Sequence, residues 1–372
     1  MPAAATERPL PPMDHAGRLG RLRDRLERDG LPALAVTSLT NVRYLSGFAG
    51  SAGILFVLPS RNVLLTDGRY ATQAAEQTAG AGVVVEVGLS AEERARVAGS
   101  VVGAAGLGAL CLESEHVSWA RQLDFAATWF PGVDLVATTG LVEELRRVKD
   151  DAELARIGLA AGAADAALAE VARSLEGGPS EAELATALDA AMRAHGADGP
   201  GFETIVAAGP AAAMPHHRPT PRRIAAGDAV VVDFGAEVDG YRSDMTRTLV
   251  VGEVADPELR RALAVVAESQ AAGVAAVADG VDASEVDRAC REVISTAGWA
   301  ERFVHGTGHG VGLDIHEAPS VAAGSTDMLR AGQVVTVEPG VYLPGVGGVR
   351  IEDTVVVTAA GCYPLTLAPK DH

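Results

Sequence analysis

The chain has 372 residues, 48% hydrophobic and 22% charged, the make-up of a folded globular protein of two or three domains at about 150 residues each. Its formal net charge of -18 disfavours nucleic acid or an anionic membrane as the main partner, since both are bound through clustered Lys and Arg. Cys111, Cys290 and Cys362 form no CxxC pair, the start of the chain lacks the apolar core of a secretory signal, and the longest uncharged run, 97–112, is short and glycine-studded; together these point to a cytoplasmic protein without disulfides or a membrane span.

After a Pro-rich leader to about Pro12, short apolar segments at 33–36, 53–58, 62–66 and 83–87 read as strands and alternate with helical stretches at 71–78 and 91–102. This is an α/β pattern. It closes in the charged, helix-forming run EELRRVKDD, which reads as a connector and sets a boundary near 145, with domains at 1–145 and 146–372. In the second domain Leu154, Ile157, Ala161, Ala164, Leu168 and Val171 share one helical face, and Ser180 with Glu183 forms a capping box before Leu184, Leu188 and Met192. A hairpin follows, AVVVDFGAEVDGYRSDMTRTLVV. The order then recurs: Asp256 and Pro257 open a helix, Asp282 to Glu285 cap another, and VVTVEPGVYLPGVGGVRIEDTVVV gives a second hairpin. Asp233 and Glu338 lie 105 positions apart, and Asp151 and Pro257 lie 106 apart, so the domain reads as two copies of one α+β unit.

Each hairpin carries acids. If Asp239-Gly240 is a two-residue turn, Gly235 pairs opposite Asp244, and Asp233 shares that face because strand side chains alternate with period 2. In the second hairpin Arg350 and Glu352 share a face; Glu338 joins them only if the connecting loop has an odd length or a bulge intervenes. His309 sits in HGTGHGVG, whose glycines allow close backbone approach, flanked by His305 and His316. Four buried carboxylates without counter-charge would cost several kcal/mol each, so their convergence calls for divalent cations. One imidazole among four carboxylates suits Mn2+ first, then Co2+, Zn2+ or Mg2+, and the five groups suffice for two ions if some carboxylates bridge.

Singly, each residue has an ordinary reading. Asp233 is a strand-end acid, Glu338 an edge acid before Pro339, His216 and His217 loop residues, and HGTGHG a phosphate loop that lacks the lysine of a P-loop. Jointly, those readings require acids to fall by chance at matching places in a repeated hairpin. The blocks VDFGAEVDGYRSDMTRT, HGTGHGVGLDIHE, VEPGVY and VRIEDT resemble those of the pita-bread metallopeptidases, which include aminopeptidase P, prolidase, methionine aminopeptidase and creatinase. NVRYLSGFAGS and TDGRYATQA resemble the creatinase-like N-terminal domain of the aminopeptidase P and prolidase branch.

The resemblance implies a fold: an α/β creatinase-like domain followed by an α+β pita-bread catalytic domain with an internal pseudo-twofold repeat. It implies that Asp244 and Glu352 bridge two metal ions, that Asp233 completes one shell and His309 and Glu338 the other, and that a water held between the ions attacks while Glu338 takes its proton. His216 and His316 resemble substrate-side histidines, and His305 and Arg350 resemble residues beside the ligands; His217 has no assigned role. The implied activity is that of an Xaa-Pro aminopeptidase acting on peptides with proline at the second position, in a homodimer. The alternatives are an Xaa-Pro dipeptidase, a metal-free creatinase-like hydrolase, against which the intact ligands argue, and an inactive binding module.

Overall fold

A computed structural model describes residues 10–254 and 256–370. The first nine residues of the leader lie outside the described residues. The chain divides into two compact units, one from Pro12 to Arg146 and the other from Arg147 onward together with the stretch before Pro12. Leu10 packs on the core of this second unit, and Arg156 Nη1 donates to Pro11 O at 3.0 Å.

In the first unit helix α1 (His15–Arg28) precedes β1 (Leu34–Val36), α2 (Leu39–Ser46), β2 (Gly53–Val57), β3 (Asn62–Thr66), α3 (Ala71–Gln77), β4 (Val83–Val87), α4 (Ala91–Ala104), β5 (Ala109–Glu113), α5 (Trp119–Asp124), β6 (Asp134–Thr138) and the one-turn α6 (Glu143–Arg146). The strands form one sheet in the order β4-β3-β2-β1-β5-β6, in which β2 runs antiparallel to both neighbours and every other pair is parallel. Strands β1 to β3 and β5 are buried along most of their length, as a sheet covered by helices on its faces requires. One buried carboxylate ties its loops together: Glu113 accepts from Thr37 N, Ser38 N and Asn41 Nδ2 at 2.5 to 2.8 Å.

The second unit begins with α7 (Asp151–Val171) and α8 (Glu181–Ala194), each opened by a complete capping box, Asp150 with Glu153 and Ser180 with Glu183. Five strands follow within two hydrogen-bonded sheets: β7 (Gly199–Pro200), β8 (Ile205–Ala208), β9 (Ala229–Phe234), β10 (Ala236–Val238) and β11 (Tyr241–Arg242), and β12 (Met245–Val250) returns beside β9. The same layout then repeats. Helix α9 (Pro257–Ala276) starts at the Asp256 cap with Pro257 in its first turn; α10 (Ala283–Thr296) starts at Asp282, whose side chain makes no capping hydrogen bond. Next come β13 (Gly308–Gly310), β14 (Glu317–Val321), β15 (Val334–Val337), β16 (Gly340–Leu343), β17 (Gly347–Arg350), β18 (Asp353–Thr358) and β19 (Gly361–Pro364).

Two cores reflect the two halves. Leu168, Leu188 and Met192 of α7 and α8 pack on Val206, Val230, Val232 and Phe234; Leu259, Val266, Val286 and Ile294 of α9 and α10 pack on Val335, Val337, Val341 and Val349. Each helix pair therefore covers the outer side of one bent hairpin, leaving the inner side for polar chemistry. No helix among the described residues is long and apolar enough to cross a membrane.

Candidate metal centre

The first hairpin turns at Asp239 (φ 47°) and Gly240 (φ 76°), the left-handed pair that a two-residue type I′ turn demands. Val238 pairs with Tyr241 and Phe234 with Met245 in one unbroken register, which puts Gly235 opposite Asp244. A Cβ at Gly235 would lie 1.9 Å from Ser243 O, so only glycine lets the strands close there. Asp233, paired with Thr246, shares the face of Asp244. In the second hairpin Leu343 pairs with Gly347, leaving the three-residue connection Pro344, Gly345 and Val346, and Val337 pairs with Asp353. The loop length is odd. Glu338 therefore falls opposite Glu352 and on the face of Arg350, as convergence requires.

The hairpins are stitched edge to edge. Glu352 N donates to Thr246 O at 3.1 Å, Thr246 Oγ1 donates to Glu352 Oε2 at 2.7 Å, and Thr248 Oγ1 donates to Arg350 O at 2.8 Å while accepting from Arg350 N at 3.0 Å. Buried Arg247 donates to the carbonyls of Glu352 and Ala368 and to Asp353 Oδ1, fixing the strand behind the acids. In this arrangement Asp233, Asp244 and Glu352 each offer an oxygen, and those oxygens lie within 4.8 Å of one another. His309 is set in β13 by its N–H to Thr336 Oγ1 (3.1 Å) and by Nδ1 against Gly310 O (3.0 Å), which turns Nε2 inward, 3.4 Å from Glu338 Oε1 and 3.6 Å from Asp244 Oδ2.

Burial drives the electrostatics. It raises the carboxyl pKa values of Asp244 and Glu352 well above the ordinary range, and the neighbouring acids push them further. Asp233 is raised for the same first reason, although Arg350 pulls the other way. Glu338 differs: burial pushes it up, but the hydrogen bond and charge of His309 bring it below the usual carboxylate value. His309 is held above the ordinary imidazole value, since Glu338 outweighs its own burial.

Arg350 organises one flank. Its Nη2 donates to Asp233 Oδ2 (2.6 Å), Nε to Thr246 Oγ1 (3.1 Å), and Nη1 to Tyr342 Oη (2.9 Å) and Pro215 O (3.3 Å). Tyr342 Oη also bonds His305 Nε2 at 2.8 Å. A cavity of about 370 Å3 opens over the acids, lined also by His216, His305, His309, His316, Phe202 and Ile315. The His316 ring stands edge-on to His309, centroids 4.3 Å apart. All nine residues singled out in the sequence thus line one cavity.

Residues 155–359 match the model of metallopeptidase family M24, and residues 18–148 match the creatinase/prolidase N-terminal domain. The chain belongs to the M24 metallopeptidases. An uncharacterized peptidase of Bacillus subtilis is 36% identical over 354 residues, covering 95% of this chain and 99% of the relative. Among solved structures, one described as an Xaa-Pro dipeptidase from Bacillus anthracis superposes with a TM-score of 0.91 at 36% identity, covering 96% of this chain and 99% of that one. One described as an X-Pro aminopeptidase from Thermotoga maritima gives 0.86 at 32% identity, covering 94% and 99%.

Membership of M24 implies a divalent metal, and the donor set of this M24 chain fits one. Asp233 Oδ1 and Glu352 Oε1 are buried with no hydrogen-bond partner among the described residues, a costly state for carboxylate oxygens that a cation removes. The set is hard and oxygen-rich, with a single imidazole.

Sequence reasoning did not single out Tyr342, Thr246 or Glu181. For the first two the signal was present: Thr246 follows Asp244 by two, and Tyr342 follows Glu338 by four, so strand alternation puts both on the inner face. Glu181 had none. It is fully buried at the first position of α8, where its carboxylate accepts from Ala208 N, His217 Nε2, Thr220 N and Thr220 Oγ1 at 2.6 to 3.0 Å. His217 thereby gains a place. The segment bearing His216 is gripped on one side by Arg350 at Pro215 O and on the other by Glu181 at His217 and Thr220.

Proposed function

We propose that this M24 protein is an Xaa-Pro aminopeptidase that removes the N-terminal residue preceding proline, with Asp233, Asp244, His309, Glu338 and Glu352 holding two divalent cations, Mn2+ first. The observation that carries the reading is the convergence of four carboxylates and His309 Nε2 from two repeated hairpins, with two buried carboxylate oxygens left unpartnered. Cations held there would acidify water and polarise the scissile carbonyl.

The chain's own groups do the rest. Glu338, kept ionised by His309, accepts the proton of the attacking water and returns it to the proline nitrogen as the amide breaks. His216 and His316, on the open side of the cavity, donate to the peptide carbonyl as negative charge builds on its oxygen. Arg350, with four of its five N–H donors taken by Asp233, Tyr342, Thr246 and Pro215, fixes the acids and the His216 loop rather than meeting substrate. A peptide bond before proline has no N–H on the leaving nitrogen and a ring that restricts φ, so it needs a shaped pocket; Phe202, Ile205 and Ile315 supply apolar wall for it.

The relatives include an Xaa-Pro dipeptidase and an X-Pro aminopeptidase at similar likeness, which keeps the dipeptidase as the second reading. Hydrolysis of an Xaa-Pro dipeptide, a tripeptide and a pentapeptide under Mn2+ separates the two. The aminopeptidase reading expects the longer peptides to be cleaved with the higher kcat/KM. Confinement to the dipeptide makes the enzyme a dipeptidase, and cleavage undiminished by excess EDTA overturns both.

A further inference from the structure

The first unit holds a second cavity, of about 280 Å3, beside β2 and β3. Ile54, Leu65 and Trp129, each at most 9% exposed, give it an apolar wall, and Arg69, Arg94 and Arg121 face it. Asp67 is its one acidic lining residue and is already committed. Its two oxygens accept from Arg69 Nε at 3.1 Å, Arg69 Nη2 at 2.8 Å and Arg69 N at 3.0 Å.

The other two arginines lack such partners. Arg94 reaches a single acceptor among the described residues, Gly88 O, at 3.4 Å. The Arg121 guanidinium lies over the Phe125 and Trp129 rings, 4.5 Å from each centroid, and its nearest carboxylate, Asp124, stands 3.8 Å away, beyond hydrogen-bond distance. Stacking occupies the faces of a guanidinium and leaves its N–H edge for a planar acceptor. Burial lowers the Arg121 pKa; Asp124 opposes the lowering and the charge of Arg94 adds to it. Arg94, whose charge also bears on Asp67 and Glu92, and Arg121 thus line an apolar-walled pocket with few hydrogen-bond acceptors of their own, an arrangement suited to an anion.

We propose that this cavity binds a small organic carboxylate, its anionic head taken by Arg94 and Arg121 and its apolar body laid on Ile54, Leu65 and Trp129. The volume sits just under the usual ~300–1,000 Å3 of ligand cavities, so the occupant is small. The site is separate from the acidic centre, and the proposal does not depend on the peptidase reading.

Isothermal titration of the full chain, stripped of metal with EDTA and then dialysed free of it, with sodium isovalerate tests it, with acetate, isovaleramide and inorganic phosphate as comparators. Isovalerate should bind at least about tenfold more tightly than acetate or the uncharged amide, a gap of ~1.4 kcal/mol. Arg94→Gln and Arg121→Gln, which remove the guanidinium charge while keeping a polar amide and are checked for folding by circular dichroism, should each weaken it by about tenfold or more. Absence of isovalerate binding at ~10 mM, or an affinity unchanged in both variants, overturns the site. Phosphate binding more tightly than isovalerate overturns the organic carboxylate, since the pocket would then read charge alone.

Discussion

Asp244 is a heavily burdened residue of the centre, because it is buried and faces the charges of Glu352, Asp233 and Glu338. Without cations it costs stability; under the proposed function it would be a ligand. Asp244→Asn should therefore separate the two effects: in EDTA the variant should melt a few degrees above the parent, since a few kcal/mol of like-charge repulsion is gone. The rise in Tm that Mn2+ gives the parent should shrink, and Xaa-Pro hydrolysis should be lost. Scanning calorimetry with EDTA and with Mn2+ checks this, and a variant that melts lower in EDTA contradicts it. Arg350 acts one layer out. Lysine there keeps the charge but not the planar fork that serves Asp233, Thr246, Tyr342 and Pro215 together. Arg350→Lys should weaken metal affinity by about 10–100-fold, read by competition with a chelator, without unfolding the protein.

At the scale of elements, the centre depends on two hairpins and one gripped loop. Glu181 holds that loop: burial pushes its carboxyl pKa up, but the hydrogen bonds from Thr220, His217 and Ala208 prevail and set it below the ordinary value. An acid whose folded pKa lies below its unfolded value contributes stability that is complete above the unfolded pKa, ~4.3, and is lost as pH falls through the folded one. Glu181→Gln should thus be less stable than the parent by ~1–3 kcal/mol near neutrality, and the gap should close as the pH is lowered below about 4. Urea titrations across that range check the sign; a gap that widens toward acid contradicts it. Because the loop carries His216, kcat should fall more than KM rises. The hairpins themselves were readable from residues, since the Asp239-Gly240 turn and period 2 decide which side chains meet Asp244. The place of Glu338 is not readable from residues because a glycine-rich loop admits several lengths, and only the pairing of Leu343 with Gly347 fixes it as odd. The Glu181 grip was illegible for a different reason: it joins residues 36 and 39 positions apart across an irregular loop, where no periodicity operates. Gly235 adds a sharper dependence. Gly235→Ala would drive a Cβ into Ser243 O and displace Asp244, so it should abolish the Mn2+-induced rise in Tm even where the protein still folds.

For the whole molecule, the question is where metal binding stabilises. The proposed donors come from β9, the β11–β12 turn, β13 and the second hairpin, so a cation held by them would cross-link segments more than a hundred positions apart in sequence, all of them in the second unit. It would also relieve repulsion among carboxylates whose strands are joined by hydrogen bonds of Thr246, Thr248, Arg247, Arg350 and Thr354. Both effects lower the population of local openings in those strands, and neither touches the six-stranded sheet of the first unit, whose core is Ala35, Phe56, Leu65, Leu110 and Phe125. Hydrogen exchange followed by mass spectrometry, with EDTA and with Mn2+, should therefore show slowed exchange in peptides covering 229–250, 305–311 and 334–358. Peptides from 34–113 should exchange at the same rate in both. Equal slowing of the two units would mean that the cations act through global stability rather than by tying the hairpins, and slowing confined to the first unit would place them elsewhere. The carboxylates contribute the charge that makes this cross-link strong, and the repeat contributes the geometry that lets two distant hairpins share it.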